Sequence, residues 1–374
     1  MENAAMTLLV NGKNAFPEII RCIEGATKSV EINMFIWRDD RIGNRMAKAV
    51  LAAAERGAKV RISVDRYGVV LEKSEENKRS FFHKSLTLSE KAKIALLERM
   101  YPKNGKKGNV HDEETALYKQ VMAHPNICVS ADVFKADHSK YYLIDDAILF
   151  LGGVNIEDKE NGCDISGRVY GDYMIMLCGK SYVRAFREKL QTGKNTLDAL
   201  FFGVNRKKPV RRFEMERLYL NLIEQADAQL HITMAYFSPL KPFTDALIAA
   251  HNRGVRVTLL LPENANFQND SNRRTAKSLL KATNGGIQVY LSPKMLHTKL
   301  VMNEKTISFG STNITKKAFA QLDELNLFLP NSPSPVQAAL LKSIEEDIRG
   351  ARRIEQAGEI SYNRLMAFLE SFAV

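Results

Sequence analysis

The feature that most restricts how this 374-residue chain can fold is that it runs through the same order of segments twice. In the first half, Ala26-Thr27-Lys28-Ser29 leads into the strand-like Val30-Glu31-Ile32-Asn33-Met34-Phe35-Ile36, and a helix-like stretch then runs to Arg56-Gly57. Ala58-Lys59-Val60-Arg61-Ile62-Ser63-Val64-Asp65 follows, alternating apolar and polar residues at the period of a half-buried strand. In the second half, Gln225-Ala226-Asp227 precedes Leu230-His231-Ile232-Thr233-Met234-Ala235-Tyr236-Phe237, a helical stretch ends at Arg253-Gly254, and Val255-Arg256-Val257-Thr258-Leu259-Leu260-Leu261 closes the unit. Each helix stops at a glycine suited to a left-handed C-cap and feeds a strand. The pattern predicts an α/β fold of two similar lobes related by pseudo-twofold symmetry, each a mainly parallel sheet covered by helices.

The spacing of landmarks locates an insertion. The Arg-Gly pairs lie 197 residues apart and His138 and His297 only 159 apart, so the first half carries 38 extra residues between these points. They fall in a basic helical segment at about 66–125. From Arg66 to Val110 there are eleven Lys or Arg against five Glu, part of a net charge of +11 for the chain. A boundary is expected where Gly193-Lys194-Asn195 and Arg206-Lys207-Lys208-Pro209 break the periodicity, giving lobes of 1–200 and 201–374. After Pro330, apolar residues at spacings of three and four predict a C-terminal tail of helices at Val336–Ile348 and Tyr362–Phe372, packed on the second lobe.

Composition excludes several classes. No segment reaches the roughly 18 unbroken apolar residues of a spanning helix, and the start Met1-Glu2-Asn3-Ala4-Ala5 has no basic stretch followed by an apolar core. A cytoplasmic location is expected. Cys22, Cys128, Cys163 and Cys178 form no CxxC pair and read as reduced, mostly buried thiols, with no metal site implied. The charge predicts an anionic partner, either nucleic acid or an acidic lipid surface.

Chemistry concentrates in a motif that is also duplicated. His138-Ser139-Lys140-Tyr141-Tyr142-Leu143-Ile144-Asp145 is followed by Ala147–Leu151 and Gly152-Gly153-Val154-Asn155; His297-Thr298-Lys299-Leu300-Val301-Met302-Asn303-Glu304 is followed by Thr306–Phe309 and Gly310-Ser311-Thr312-Asn313. Residues two apart on a strand share a face, so each His and Lys can meet one ligand. The acidic turn brings the next strand back, returning Asn155 and Asn313 toward the histidines. If the halves pack about a twofold axis, the histidines meet across one cleft.

These residues resemble the phospholipase D superfamily, whose signature is H-x-K-x4-D followed by G-[SG]-x-N. The first copy matches fully through His138, Lys140, Asp145, Gly152, Gly153 and Asn155; the second has Glu304 in place of Asp and one residue fewer before Gly310. Flanks such as Phe35-Ile36-Trp37-Arg38-Asp39-Asp40, Tyr236-Phe237-Ser238-Pro239, Met295-Leu296-His297 and Glu324-Leu325-Asn326 look like the cardiolipin synthase branch. The likeness covers nearly the whole chain except the insertion and the last forty or so residues.

The resemblance implies two-step displacement at phosphorus through a phosphohistidine, with no cofactor and no metal. His138 is expected as nucleophile and His297 as general acid. Lys140 and Lys299, with Asn155, Ser311 and Asn313, are expected to hold the non-bridging phosphate oxygens. Asp145 and Glu304 are counted with the catalytic set, as orienting or charge-balancing groups, and Asp172 as a buttress behind the site. The expected substrate is a glycerophospholipid, met by peripheral contact with an anionic membrane at its inner face, the enzyme being a monomer with an internal pseudo-dimer. Membrane contact is expected from the insertion, through Phe81-Phe82-His83-Lys84 and Met100-Tyr101. The alternatives are a nuclease or nucleic-acid phosphodiesterase of the same superfamily, and a non-catalytic basic binding module. His83, His111, His124, His231 and His251 are expected to be surface or core fillers.

Overall fold

The structure is a computed structural model that describes residues 5–76, 79–82, 86–98, 115–162 and 169–373. The chain divides into two compact units, Met1–Arg187 and Glu188–Val374. The division falls inside one helix, so the Gly193–Arg212 stretch belongs to the second unit.

The first unit runs β1 (Ala5–Val10), α1 (Asn11–Glu24), β2 (Ser29–Met34), α2 (Arg41–Glu55), β3 (Lys59–Val64), α3 (Arg66–Glu76), α4 (Leu88–Leu97), α5 (Ala116–Ala123), β4 (Ile127–Ser130), β5 (Lys140–Ile144), β6 (Ile148–Gly152), β7 (Tyr170–Gly171), β8 (Tyr173–Cys178) and α6 (Lys180–Thr192). Its sheet has the order β1-β8-β6-β5-β2-β3-β4. The strands β2, β3 and β4 pair in parallel, whereas β2 with β5, β5 with β6, β6 with β8 and β8 with β1 are antiparallel.

The second unit continues with β9 (Phe201–Arg206), β10 (Arg212–Phe213), α7 (Met215–Glu224), β11 (Gln229–Met234), β12 (Phe237–Ser238), α8 (Lys241–Asn252), β13 (Arg256–Pro262), α9 (Asn269–Ala282), β14 (Gln288–Ser292), β15 (Met295–Leu296), β16 (Lys299–Asn303), β17 (Thr306–Gly310), β18 (Ile314–Thr315), α10 (Lys316–Ala320), β19 (Glu324–Pro330), α11 (Pro335–Arg349), β20 (Arg352–Ile354) and α12 (Arg364–Ala373). Its sheet order, β10-β9-β19-β17-β16-β11-β13-β14-β20, contains the first unit's order strand for strand, with β10 and β20 added at the edges. The α/β expectation holds in both units, but each large sheet is mixed, with more antiparallel than parallel pairs, rather than mainly parallel. Within the two large sheets parallel pairing is confined to the βαβ part, because a crossover helix returns the chain in the same sense, while the motif hairpins must be antiparallel.

The repeated Arg-Gly pair has a physical reason. Gly57 and Gly254 have φ of 100° and 91°, the left-handed conformation that lets a helix end. Around each, the amide of the glycine and that of the next residue close back on the last turn: Gly57 N to Ala54 O and Ala58 N to Ala53 O, then Gly254 N to His251 O and Val255 N to Ala250 O. The arginine before each glycine crosses to the neighbouring helix. Arg56 donates to the terminal carbonyls of Ile23 and Glu24 on α1, and Arg253 to those of Ile223 and Glu224 on α7. One dipeptide therefore ends its own helix and caps another.

The insertion differs from expectation. Phe81 and Phe82 are 1% and 3% exposed and join the core of the first unit. Trp37 lies 6.0 Å from Phe81 and 5.2 Å from Phe82 between ring centroids, and Phe81 also meets Tyr118. A pair of aromatic rings gains more from filling the space beside Trp37 than from facing an interface. They are not membrane anchors. His83, Lys84, Met100, Tyr101, His111 and Cys163 lie outside the described residues. Of the other cysteines, Cys22 is buried, Cys178 half-buried and Cys128 exposed, all with free thiols. The tail helices dock on the second unit: Glu370 accepts from the Ser271 amide at 2.7 Å and Lys294 pairs with Asp347 at 2.8 Å. No described helix is long and apolar enough to cross a membrane.

Trp37 is the only tryptophan and is fully buried, so its emission reports the first unit. Phe81→Ala is expected to lower that unit's stability by about 3 kcal/mol through lost burial and the cavity left behind, read as a lower denaturation midpoint followed by Trp37 fluorescence. An unchanged midpoint would mean that Phe81 does not pack there.

Candidate active site

In the first unit, β5 begins at Lys140, and the register sets Lys140 opposite Gly152 of β6. Asn155, three residues past Gly152, therefore returns to the end of the hairpin that carries His138. The imidazole of His138 is 7% exposed and meets the Phe35 ring edge-on, with centroids 4.8 Å apart. Lys140 is fully buried; its Nζ donates to the His138 carbonyl oxygen at 2.5 Å and lies 5.1 Å from the centroid of Phe35. The ammonium thus fixes the backbone of its own histidine and adds a cation–π contact to the ring that histidine touches. Asn155 is 3% exposed, and among the described residues nothing donates to its Oδ1. A buried amide with an unused polar atom, beside a histidine and a lysine, is the condition expected of a group kept for a ligand.

Behind this hairpin lies a polar brace. Asp65 is 1% exposed and accepts from the amides of Tyr67, Lys135 and Asp137. Burial pushes its carboxyl up, against the pull of those three amides. Asp137 in turn accepts from the Ser139 amide at 3.0 Å, and Asn33 Nδ2 reaches both Asp137 and the Ser139 carbonyl. The residues on either side of His138 are therefore held by β2 and by the end of β3.

The second unit repeats the arrangement with different bracing. Leu300 pairs with Phe309, which sets Lys299 opposite Gly310 and brings Asn313 back in the same way. His297 is 6% exposed and lies edge-on to Tyr236 at 6.3 Å, Tyr236 holding the position that Ile36 has in the first unit. Lys299 is fully buried and donates to the His297 carbonyl oxygen, as Lys140 does to His138. Asn313 Oδ1 accepts from the Tyr236 amide at 3.3 Å. The loop is held by β19: Thr312 N donates to Asn326 Oδ1, while Asn326 Nδ2 donates to the Tyr219 hydroxyl at 2.8 Å.

Ser311 does not fit its expected role as a phosphate ligand. Its hydroxyl donates to Glu324 and accepts from the Leu325 amide at 3.0 Å, so both functions of the hydroxyl are already used in joining the loop to β19. Glu324 itself is a residue that motif reasoning passed over. Gly152 pairs with Met174 and Gly310 with Asn326, so Asp172 and Glu324, each two residues earlier, occupy the same position in the two units. Both are 2% exposed. A Cβ at Gly153 would meet the Asp172 carboxylate at 2.2 Å, whereas the corresponding Ser311 is bonded to the longer Glu324. Each unit therefore keeps one buried carboxylate behind the loop that carries its asparagine. The signal was present in the sequence as the Glu324-Leu325-Asn326 flank.

The family described as "Cardiolipin synthase, PLD-like domain" matches residues 19–165 and 219–348. The chain belongs to this family. Among similar proteins, cardiolipin synthase B of Escherichia coli (strain K12) is 27% identical over 350 residues, covering 88% of this chain and 77% of that one. A cardiolipin synthase of Clostridium perfringens (strain SM101 / Type A) is 25% identical over 368 residues, covering 91% of this chain and 68% of that one. Among solved structures, phosphatidylserine synthase of Haemophilus influenzae Rd KW20 superposes with a TM-score of 0.67 at 13% identity, covering 97% of this chain and 91% of that one, which bears on the fold alone.

Within this family fold, the acidic position that ends each motif lies away from the histidine. Asp145 follows the five residues of β5, about 16 Å of extended chain from the His138 end. Its carboxylate accepts from the amides of Thr27, Lys28 and Ser29 at 2.8, 2.8 and 2.9 Å and from the Thr27 hydroxyl. Glu304 does the same for Asp227, Ala228 and Gln229 at 3.0, 3.4 and 3.3 Å. Partial burial raises both carboxyls, but the amide donors outweigh it and hold each below its ordinary value. Both carboxylates are turn clamps, not members of the reacting set. The one-residue difference between the copies also resolves: three residues, Asp145–Ala147, join β5 to β6, but only Glu304 and Lys305 join β16 to β17. Glutamate's extra methylene spans what the shorter turn gives up.

Asp145→Asn is expected to cost about 1–2 kcal/mol of stability at pH 7, with turnover within a few-fold of wild type. Because the folded carboxyl titrates lower than the unfolded one, the clamp's contribution is present above the ordinary value of 3.8 and fades as pH falls below it. Wild type and Asp145→Asn should therefore converge in stability in acid; a constant gap down to the lowest pH would argue against the clamp. Glu304→Asp, one methylene too short, should cost about 1 kcal/mol in the same assay.

Proposed function

We propose that the chain is a phospholipid phosphatidyltransferase of the phospholipase D type, cardiolipin synthase-like, that cleaves and transfers phosphodiesters through a phosphohistidine. The observation that carries the reading is the duplicated half-site: a histidine against an aromatic ring, a fully buried lysine bonded to that histidine's carbonyl, and a buried asparagine returned by the hairpin. Phosphoryl displacement needs a nucleophile on one side of phosphorus and an acid on the other, and two copies of one half-site meet that need. His138 attacks phosphorus as the bond to the leaving alcohol breaks, and His297, as imidazolium, gives that alcohol its proton. In the second step the acceptor alcohol or water attacks the phosphohistidine, its proton passes to His297, and the phosphorus–nitrogen bond breaks. Lys140, Lys299, Asn155 and Asn313 bind the non-bridging oxygens, where negative charge concentrates.

Similarity to cardiolipin synthases along 88% of the chain supports a glycerophospholipid substrate. The excess of basic residues supports peripheral contact with an anionic membrane, at the inner face, by a monomer that contains both half-sites.

The test is turnover on phosphatidylglycerol vesicles, with appearance of cardiolipin marking transfer and phosphatidic acid marking hydrolysis. Cleavage of DNA with no lipid turnover would replace this reading by that of a nuclease, and binding without turnover of either by that of a binding module. His138→Ala and His297→Ala should each lower lipid turnover by about 10³-fold or more. The two are distinguished by a p-nitrophenyl phosphodiester, whose leaving group needs no proton: His297→Ala should still release a burst of about one p-nitrophenolate per enzyme before stalling at the phosphohistidine, and His138→Ala should release none. The reverse pattern exchanges the two roles.

A further inference from the structure

The insertion presents an exposed apolar surface next to the loop that leads to His138, and its composition points to what covers it. Helix α4 carries apolar residues on its outer as well as its inner face. Its inner face holds Ile94 and Leu97 against Val70 of α3, and Glu90 forms a two-pronged ion pair with Arg66 at 2.8 and 3.1 Å. Its outer face carries Leu88, Ala92, Ala95 and Leu96, a stripe at the helical spacing of four, seven and eight, and all four are exposed. Leu88 is 85% and Leu96 64% exposed, with Lys91 and Lys93 exposed alongside.

This stripe continues onto the loop that leads into the motif. Val133 and Phe134 are 56% and 49% exposed, and the Lys93 ammonium lies 5.4 Å from the centroid of Phe134. The loop is held firmly from within. Arg66 N donates to Val133 O at 3.1 Å, Lys135 N to Asp65, and Lys135 Nζ to Ser63 Oγ at 2.9 Å and Ser130 O at 2.8 Å. Phe134 is thus presented outward by a braced backbone. It lies four residues before His138, no more than about 14 Å of chain.

We propose that α4 and the Val133-Phe134 loop form the surface by which the protein enters an anionic phospholipid bilayer, seating the His138 half-site at headgroup depth. This rests on the phosphatidyltransferase reading. Leucine and phenylalanine side chains enter the boundary between headgroups and acyl chains, while Lys91 and Lys93 meet lipid phosphates. The insertion's eleven basic residues against five acidic ones between Arg66 and Val110 match an anionic surface. A protein partner of ordinary composition offers no reason for that charge.

Sedimentation with vesicles of phosphatidylglycerol and phosphatidylcholine tests the proposal without requiring turnover. The Val133→Asp/Phe134→Asp and Leu88→Asp/Leu96→Asp variants should each need at least about tenfold more lipid for half-binding, and Lys91→Ser/Lys93→Ser several-fold more on anionic vesicles only. Leu365→Asp/Phe368→Asp, on the exposed side of α12, should bind as wild type. Phe134→Trp gives a second readout independent of any loss of stability: its added emission should shift blue on binding and be quenched by brominated acyl chains. Undiminished binding by the aspartate variants, absence of quenching, or loss of binding in the α12 variant instead would overturn the proposal. Wild type that binds vesicles through this face but never turns lipid over would refute the phosphatidyltransferase reading alone. Active enzyme whose aspartate variants bind normally would refute the docking face alone.

Discussion

Both half-sites depend on burying a lysine ammonium completely. An isolated charge in such a place is costly to desolvate, and the fold offsets that cost by having Lys140 and Lys299 bind the carbonyl of the histidine two residues back. The bond forms where each histidine lies just ahead of the strand that begins at its lysine. It couples the position of the cation to the backbone of the histidine two residues back. Hairpin register then does the same for the asparagine. The histidine before the first strand and the asparagine after the second are in this way held at the same end of one short hairpin.

The two units reach this geometry with unequal support. Behind His138 stand two buried carboxylates, Asp65 and Asp137, with Asn33 and Ser139 between them. The residue before His297 is the apolar Leu296, and Pro262 holds the position corresponding to Asp65. The second unit instead fixes its asparagine loop through Tyr219, Asn326 and Glu324. One half-site is braced before its histidine and the other after its second strand.

Much of this was legible in the sequence because it rests on local rules. Period-two alternation marked β3, glycines with positive φ marked the ends of α2 and α8, and spacings of three and four marked α11 and α12. The repeat located the motif strands, and their alternation gave His138 with Lys140 and His297 with Lys299. What stayed hidden depends on partners far away in the chain. Asp145 meets amides 116 to 118 residues distant, and nothing in its own neighbourhood distinguishes a turn clamp from an orienting carboxylate. Ser311 has the right chemistry for a phosphate and is taken by Glu324. Phe81 and Phe82 sit in a basic segment and read as interfacial, but Trp37 is the partner that decides their place.

The clamped turns carry a consequence for how such hairpins change over time. Three loop residues with aspartate and two with glutamate are equivalent solutions, yet each intermediate, the short acid on the short turn or the long acid on the long one, misses the amides or crowds them. Length and side chain are therefore matched in each copy, the shorter turn going with the longer acid. A search pattern that insists on one acid at one spacing will overlook proteins whose turns have made that paired step.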